Sequence, residues 1–197
     1  MLSKDYFADK SFQLKKCRVM KMDYSDIVRF HGHSCAGTAI GYKVGEIVVE
    51  VFGRSEDEEI VAIVENDSCS VDAVQFMTGC TFGKGNLIFK DHGKHVYTFI
   101  DRRTGEGVRI SFKKSLEEFM DELGVKDRVE MTQRILEMSP YDLFEVKRIS
   151  AKPPAKAKIY RSVKCSECGE PVSEHRARIK DGQIVCIPCF NKNGEDY

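Results

Sequence analysis

Residues 60–87 read IVAIVENDSCSVDAVQFMTGCTFGKGNL, and this stretch decides the fold. Ile60–Val64 is short, apolar and mostly β-branched, the composition of a buried strand. Asp67 or Ser68 turns the chain. Ser70 is placed to cap a short helix over Val71–Thr78, and Gly79 to stop it. The Gly-rich loop Thr81–Asn86 then leads into a second strand at Leu87–Phe89. Polar residues and two cysteines, Cys69 and Cys80, are concentrated in the turns flanking the helix, where site-building side chains collect.

Upstream of this stretch, Ile40, Val44, Ile47, Val48, Val51 and Phe52 recur at three- and four-residue spacing. That spacing is one face of a helix starting near Cys35, and Gly53 suits its end. A shorter helix capped by Asp23 or Ser25 runs through Ile27 and Phe30 to His31. Downstream, a turn at Asp91–Lys94 precedes a strand over His95–Asp101. The Arg102–Gly107 turn opens a hairpin into Val108–Phe112. Helices are expected at Ser115–Leu123 and Asp127–Met138, a capped turn at Ser139-Pro140, and a last strand at Phe144–Ser150. Helices, strands and helices in this order predict an α+β domain over residues 1–150, its helices packed on an antiparallel or mixed sheet. The stretch AKPPAKAK at 151–158 has two prolines among small and charged residues, so residues 151–160 read as a linker and 161–197 as a second, small domain.

The chain has 197 residues with 31 Lys+Arg and 31 Asp+Glu, and 42% of its residues are hydrophobic. That composition excludes global disorder. No apolar run approaches the ~18–20 residues of a membrane span, and MLSKDYFADKSFQLKK carries no secretory apolar segment, so a cytoplasmic protein is expected. Charge is unevenly placed. Residues 147–197 hold 11 Lys/Arg and 6 Asp/Glu, a net +5, which leaves −5 on the rest.

Eight cysteines could form four disulfides in a secreted protein. Their spacing favours metal thiolates in a reducing compartment. Cys165-x-x-Cys168 and Cys186-x-x-Cys189 are separated by 17 residues, within the window of a four-Cys zinc site. Four thiolates fill a tetrahedral shell, so this Zn²⁺ is expected to be structural. A module of this size needs the metal in order to fold. Ile179–Val185 reads as a hairpin inside it.

A second constellation lies in FHGHSCAG at 30–37. His31, His33 and Cys35 fall within five residues at a helix start, where backbone N–H groups favour a thiolate. Imidazole and thiolate ligands suit Zn²⁺ or another divalent transition metal. Asp72 and Gln75, one helical turn apart, could orient an imidazole. Lys84 and Asn86 in the Gly-rich loop are candidate contacts to a substrate carboxylate or phosphate, although no P-loop pattern is present. Phe76, Phe82 and Phe89 read as core, His92 and His95 as solvent-facing, and Cys17 lacks ligand neighbours.

FHGHSCAG with Gly41-Tyr42, the 60–87 stretch and the Gly-Lys of DHGK at 91–94 together resemble the FmdE family, that of the E subunit of molybdenum/tungsten formylmethanofuran dehydrogenase, over residues 20–150. Ala36 stands where that family usually has Pro, a position in the first helical turn that tolerates either. The resemblance implies a metal-binding α+β protein with a C-terminal zinc module. It also implies a homodimer, tied to one-carbon metabolism as a subunit or accessory protein of such an oxidoreductase. It carries the site to His31, His33, Cys35, Cys69 and Cys80, with His31, His33 and Cys35 as the catalytic set.

Three functions compete. The first is a metal-dependent enzyme or subunit that binds or acts on a small one-carbon or carboxylated ligand. The second is a metal carrier or sensor whose zinc module docks a protein or nucleic acid. Exposed interleaved aromatics are lacking there, which favours a protein over nucleic acid. The third is thiol redox chemistry by Cys69 and Cys80, whose spacing is unlike C-x-x-C.

Overall fold

The computed structural model describes residues 22–191; Cys17 lies outside them. The chain divides into two compact units, 1–156 and 157–197.

In the first unit, α1 (Tyr24–His31) and α2 (Ala36–Phe52) precede β1 (Ile60–Val64), α3 (Ser70–Thr78) and β2 (Leu87–Phe89). Next come β3 (Val96–Asp101), β4 (Glu106–Phe112), α4 (Leu116–Leu123), α5 (Arg128–Glu137), α6 (Pro140–Leu143) and β5 (Phe144–Ser150). The five strands form one sheet in the order β2-β1-β3-β4-β5. β2 runs parallel to β1, with Ala62 opposite Leu87, and the remaining pairs are antiparallel. The sheet is therefore mixed, because the α3 crossover returns the chain in the same direction. α2 supplies the centre of the core: Ile40, Val44, Ile47 and Val48 are buried with Tyr97, Phe99 and Ile110 of the sheet. Among the described residues, no helix is long and apolar enough to cross a membrane.

The caps follow side-chain chemistry. Asp23 caps α1, Ser115 caps α4, and Asp127 accepts from Val129 and Glu130 at the start of α5. Each such cap is worth about 1 kcal/mol. Ser70 departs from its expected role. It is the first helical residue of α3, and Cys69 stands at the N-cap without a side-chain capping bond. The Ser70 hydroxyl instead meets Tyr97 Oη at 2.6 Å and donates to Asn66 Oδ1 at 3.2 Å. A buried hydroxyl must find partners, and here they come from the sheet and the loop before the helix.

α2 and α3 approach unusually closely. A Cβ on Gly41 would lie 2.2 Å from the Ser70 carbonyl oxygen, and one on Gly45 would lie 2.5 Å from Met77 Cβ. One on Gly37 would lie 3.0 Å from Cys69 Cβ. These glycines recur every fourth residue, so they share one face of α2. The close contact sets the N-terminal ends of the two helices side by side.

The second unit holds two hairpins, β6–β7 (Ser162–Lys164 and Pro171–Ser173) and β8–β9 (Arg178–Lys180 and Gln183–Val185), then α7 (Ile187–Phe190).

Candidate metal centre

The close packing of α2 on α3 brings two N-cap residues together, Cys35 and Cys69. Cys35 has an extended backbone, and its sulfur accepts the Thr38 N–H at 3.4 Å. Thr38 Oγ1 in turn accepts from the Cys35 N–H at 3.1 Å. Tyr24 Oη lies 2.7 Å from Thr38 Oγ1 and 2.9 Å from Ser34 Oγ, which fastens the 32–38 turn to α1. His31 ends α1, and Gly32 follows in the left-handed region at φ 101°. That bend sends the chain back across the helix end, and the His31 and His33 rings sit 4.5 Å apart.

One ligand atom from each of His31, His33, Cys35 and Cys69 lies within 4.8 Å of the other three. His31 Nδ1 is 2.7 Å from Asp72 Oδ2, and Gln75 Nε2 donates to Asp72 Oδ1 at 3.4 Å. Asp72 therefore holds the Nδ1–H tautomer and leaves the lone pair on Nε2, the usual outer partnership of a metal-binding imidazole. His31 is only 11% exposed in its side chain, and its Nε2 is buried with no hydrogen-bond partner. Burial first, and then the neighbouring Cys35, push the Cys69 thiol up from its ordinary value. Two imidazoles and two thiols match the donor preferences of Zn²⁺ and its borderline neighbours.

Cys80 is not brought to this cluster. It is fully buried, its thiol donates to the Ile60 carbonyl at 3.5 Å, and burial pushes it up to about 11. Gly79 in the left-handed region turns the chain there at the far end of α3. A helix of nine residues is roughly 13 Å long, so cysteines at its two ends cannot share one ion. The same separation removes the geometry a Cys69–Cys80 disulfide requires. Lys84 and Asn86 do not line the cavity beside the cluster and bond within the protein. Lys84 Nζ donates to the Asp57 carbonyl at 2.9 Å. Asn86 Nδ2 donates to the Asp57 and Ile60 carbonyls while its Oδ1 accepts from the Thr81 N–H. Both side chains hold their own loop in place.

A cavity of about 390 Å³ adjoins the cluster, with His31, Cys69 and Asp72 in its lining. Phe82 and Phe89 also line it, 78% and 45% exposed, in contrast to the core positions expected from sequence. Phe76 is half-buried and packs on Phe30 with ring centroids 5.7 Å apart. His92 is exposed and bonds Glu65 at 2.9 Å. His95 is not a solvent group: it lies against Phe112, is 3.3 Å from Tyr97 Oη, and burial lowers its pKa.

The second cluster joins Cys165, Cys168, Cys186 and Cys189, whose sulfurs also lie within 4.8 Å of one another. Cys168 is exposed and the other three are buried. The Cys186 N–H donates to Cys165 Sγ at 3.3 Å. Backbone N–H groups of Cys168 and Cys186 pull the Cys165 thiol down to about 6, which prepares a thiolate ligand.

The α2 face formed by Gly37, Gly41 and Gly45 is a determinant that apolar periodicity does not reveal. Its signal in the sequence is the four-residue spacing of the glycines themselves.

Fold and clusters define an α+β protein that carries a His/Cys metal-ligand cluster and a C-terminal four-Cys zinc finger. The chain belongs to the FmdE family, described as "FmdE, Molybdenum formylmethanofuran dehydrogenase operon", whose model matches residues 30–145. Residues 158–193 match the prokaryotic dksA/traR C4-type zinc finger. A solved structure, that of a tungsten formylmethanofuran dehydrogenase FmdE-like protein from Syntrophus aciditrophicus, aligns over 92% of this chain and all of its own, at 27% identity and a TM-score of 0.66. A protein of Archaeoglobus fulgidus described as a "Probable S-adenosyl-L-methionine-binding protein" is 32% identical over 196 residues, 81% of this chain. This chain spans about half the length of that relative.

Proposed function

We propose that the first unit is a metal centre that binds or acts on a small ligand. His31 Nε2, Cys35 Sγ, Cys69 Sγ and His33 hold Zn²⁺ or another divalent transition metal. One observation carries this reading: His31 Nε2 is buried with no hydrogen-bond partner, its opposite nitrogen lies 2.7 Å from Asp72, and the residue clusters with an imidazole and two thiols. An unpaired buried acceptor costs about 1–3 kcal/mol, and a cation removes that cost. When bound, such a metal polarises a carbonyl or lowers the pKa of water. His31 and Cys35 orient the ligand set, and His33, the exposed member, is the ligand best placed to give way to a guest. A one-carbon or carboxylated ligand fits a Lewis-acid centre. Among the described residues no Lys or Arg lines the cavity, so a carboxylate would have the metal as its cationic partner.

The tie to one-carbon metabolism, and a place beside other subunits of an oxidoreductase or in a homodimer, rest on the family description and on the solved relative from Syntrophus. The ligand in the Archaeoglobus protein's name is not carried to this chain, which spans half of that protein. Cys165, Cys168, Cys186 and Cys189 hold a structural Zn²⁺. Free thiols in both clusters suit the reducing cytoplasm.

A second reading, a carrier or sensor whose zinc module docks a protein, is favoured by one feature. Ile179 and Ile184 face each other across β8–β9, and both are exposed.

Metal analysis of the reduced full chain is expected to give about two ions per chain, one for each donor set. The Cys35→Ala/Cys69→Ala double variant is expected to lose one ion and keep the other. A count unchanged by that double substitution ends the metal-centre reading.

A further inference from the structure

We infer that the cavity beside the cluster takes the planar, uncharged or cationic ring of the guest; this rests on the metal-centre reading and extends it to the ligand's class. Two phenylalanines line a cavity of about 390 Å³ while remaining 78% and 45% exposed. That volume lies in the range of small-molecule sites, which are apolar with a few placed polar groups. Exposed apolar rings gathered on one concave surface mark a place where something covers them. Phenyl faces receive a planar ring by offset stacking or edge contact.

The backbone that carries Phe82 is held by its loop. The Phe82 N–H donates to Gln75 Oε1 at 3.0 Å, the Gly85 N–H to the Phe82 carbonyl at 3.0 Å, and the Thr81 N–H to Asn86 Oδ1 at 2.9 Å. The first of these bonds leads to the metal ligands: Gln75 bonds Asp72, and Asp72 bonds His31. A guest on Phe82 therefore sits at one end of a hydrogen-bonded chain whose other end is the buried imidazole.

Charge selects the ring. The formally charged side chains of the lining are Asp67 and Asp72, and no Lys or Arg is among them. Aromatic faces carry negative potential and attract cations. The positive end of α3 is already met by its own Asp72. His31, the remaining titratable base of the lining, faces Asp72 through Nδ1. An anionic ring would meet two carboxylates and two π faces, so it is rejected.

The test uses the metal-loaded full chain and three near-isosteric probes: 1-methylnicotinamide (cation), nicotinamide (neutral) and nicotinate (anion). Ligand-observed NMR titration measures each affinity. The cation and the neutral amide are expected to bind. Nicotinate is compared with the cation on the Cys35→Ala/Cys69→Ala variant, where no first-site ion captures its carboxylate, and is expected to bind roughly tenfold or more weakly, a difference of about 1.4 kcal/mol. Phe82→Ala is expected to weaken the cation roughly tenfold, at the upper end of what one aromatic contact supplies, with Phe82→Tyr restoring it. Both variants change an exposed side chain, so folding and metal content are expected to be unchanged. The inference is overturned if nicotinate binds the Cys35→Ala/Cys69→Ala variant as well as the cation does, if Phe82→Ala leaves the affinities unaltered, or if no probe binds at millimolar concentration. Metal content measured on the same samples separates the failures. Two ions with no Phe82-dependent binding sinks the ring site alone, whereas one ion with such binding sinks the metal centre alone.

Discussion

His31 shows how the surroundings of one side chain prepare it for the ligand role we propose. Its Nδ1 is committed to Asp72, and its Nε2 is buried without a partner. Asp72 therefore acts through the imidazole, and its removal tests that link. Asp72→Asn keeps the shape but replaces the carboxylate that fixes the tautomer. It is expected to weaken metal at the first site about 10–100-fold, the usual effect of losing a histidine's outer carboxylate. Competition with a chromophoric chelator measures this, and zinc at the four-Cys site serves as the internal control. Equal affinity at the first site in this variant would refute the role of Asp72. Asp72 is legible as a possible partner from its turn spacing to Gln75. Its pairing with His31, 41 residues away, is not, because spacing along one helix says nothing about which neighbour it faces.

At the scale of elements, the site exists because α2 and α3 pack closely at their N-terminal ends. Gly41→Ala tests this directly, since its Cβ would lie 2.2 Å from the Ser70 carbonyl oxygen. Backbone is a poor candidate for giving way, so the helices must separate. Overpacking of this kind typically costs about 1–3 kcal/mol. A lowered Tm with loss of the first-site ion and retention of the zinc-finger ion is the expected outcome. A variant with wild-type Tm and two ions would show that the close approach is dispensable. Most elements are legible in the sequence because caps and apolar periodicity are local: Asp23, Ser115, Asp127 and Ser139 cap as their types dictate. Ser70 departs from that rule because a tertiary contact with Tyr97 outcompetes the local cap. Phe82 and Phe89 depart from the core because hydrophobic type indicates burial on average, not at a cavity wall.

Across the whole molecule, two compact units are built on different principles. The first buries an apolar core between a mixed sheet and its helices. The second has a small buried cluster made of three cysteines and Val185, with Val172 against it. Its stability must come from metal. Cys186→Ser is accordingly expected to abolish amide protection over residues 162–190 while strands β1–β5 keep theirs, as read by hydrogen exchange. Loss of protection in both units together would refute separate folding. We propose residues 151–160 as the linker between the two domains.

Sequence by itself determined the α+β class, the four-Cys finger and the local caps, because each depends on residues near one another in the chain or on a rigid ligand spacing. Only the tertiary structure decided that Cys69 joins His31, His33 and Cys35 while Cys80 does not. Both cysteines flank the same helix, and the choice between its ends depends on which of them lies beside the N-terminus of α2, where Cys35 stands. That choice is made by the energy of helix contact, to which no short stretch of chain has access.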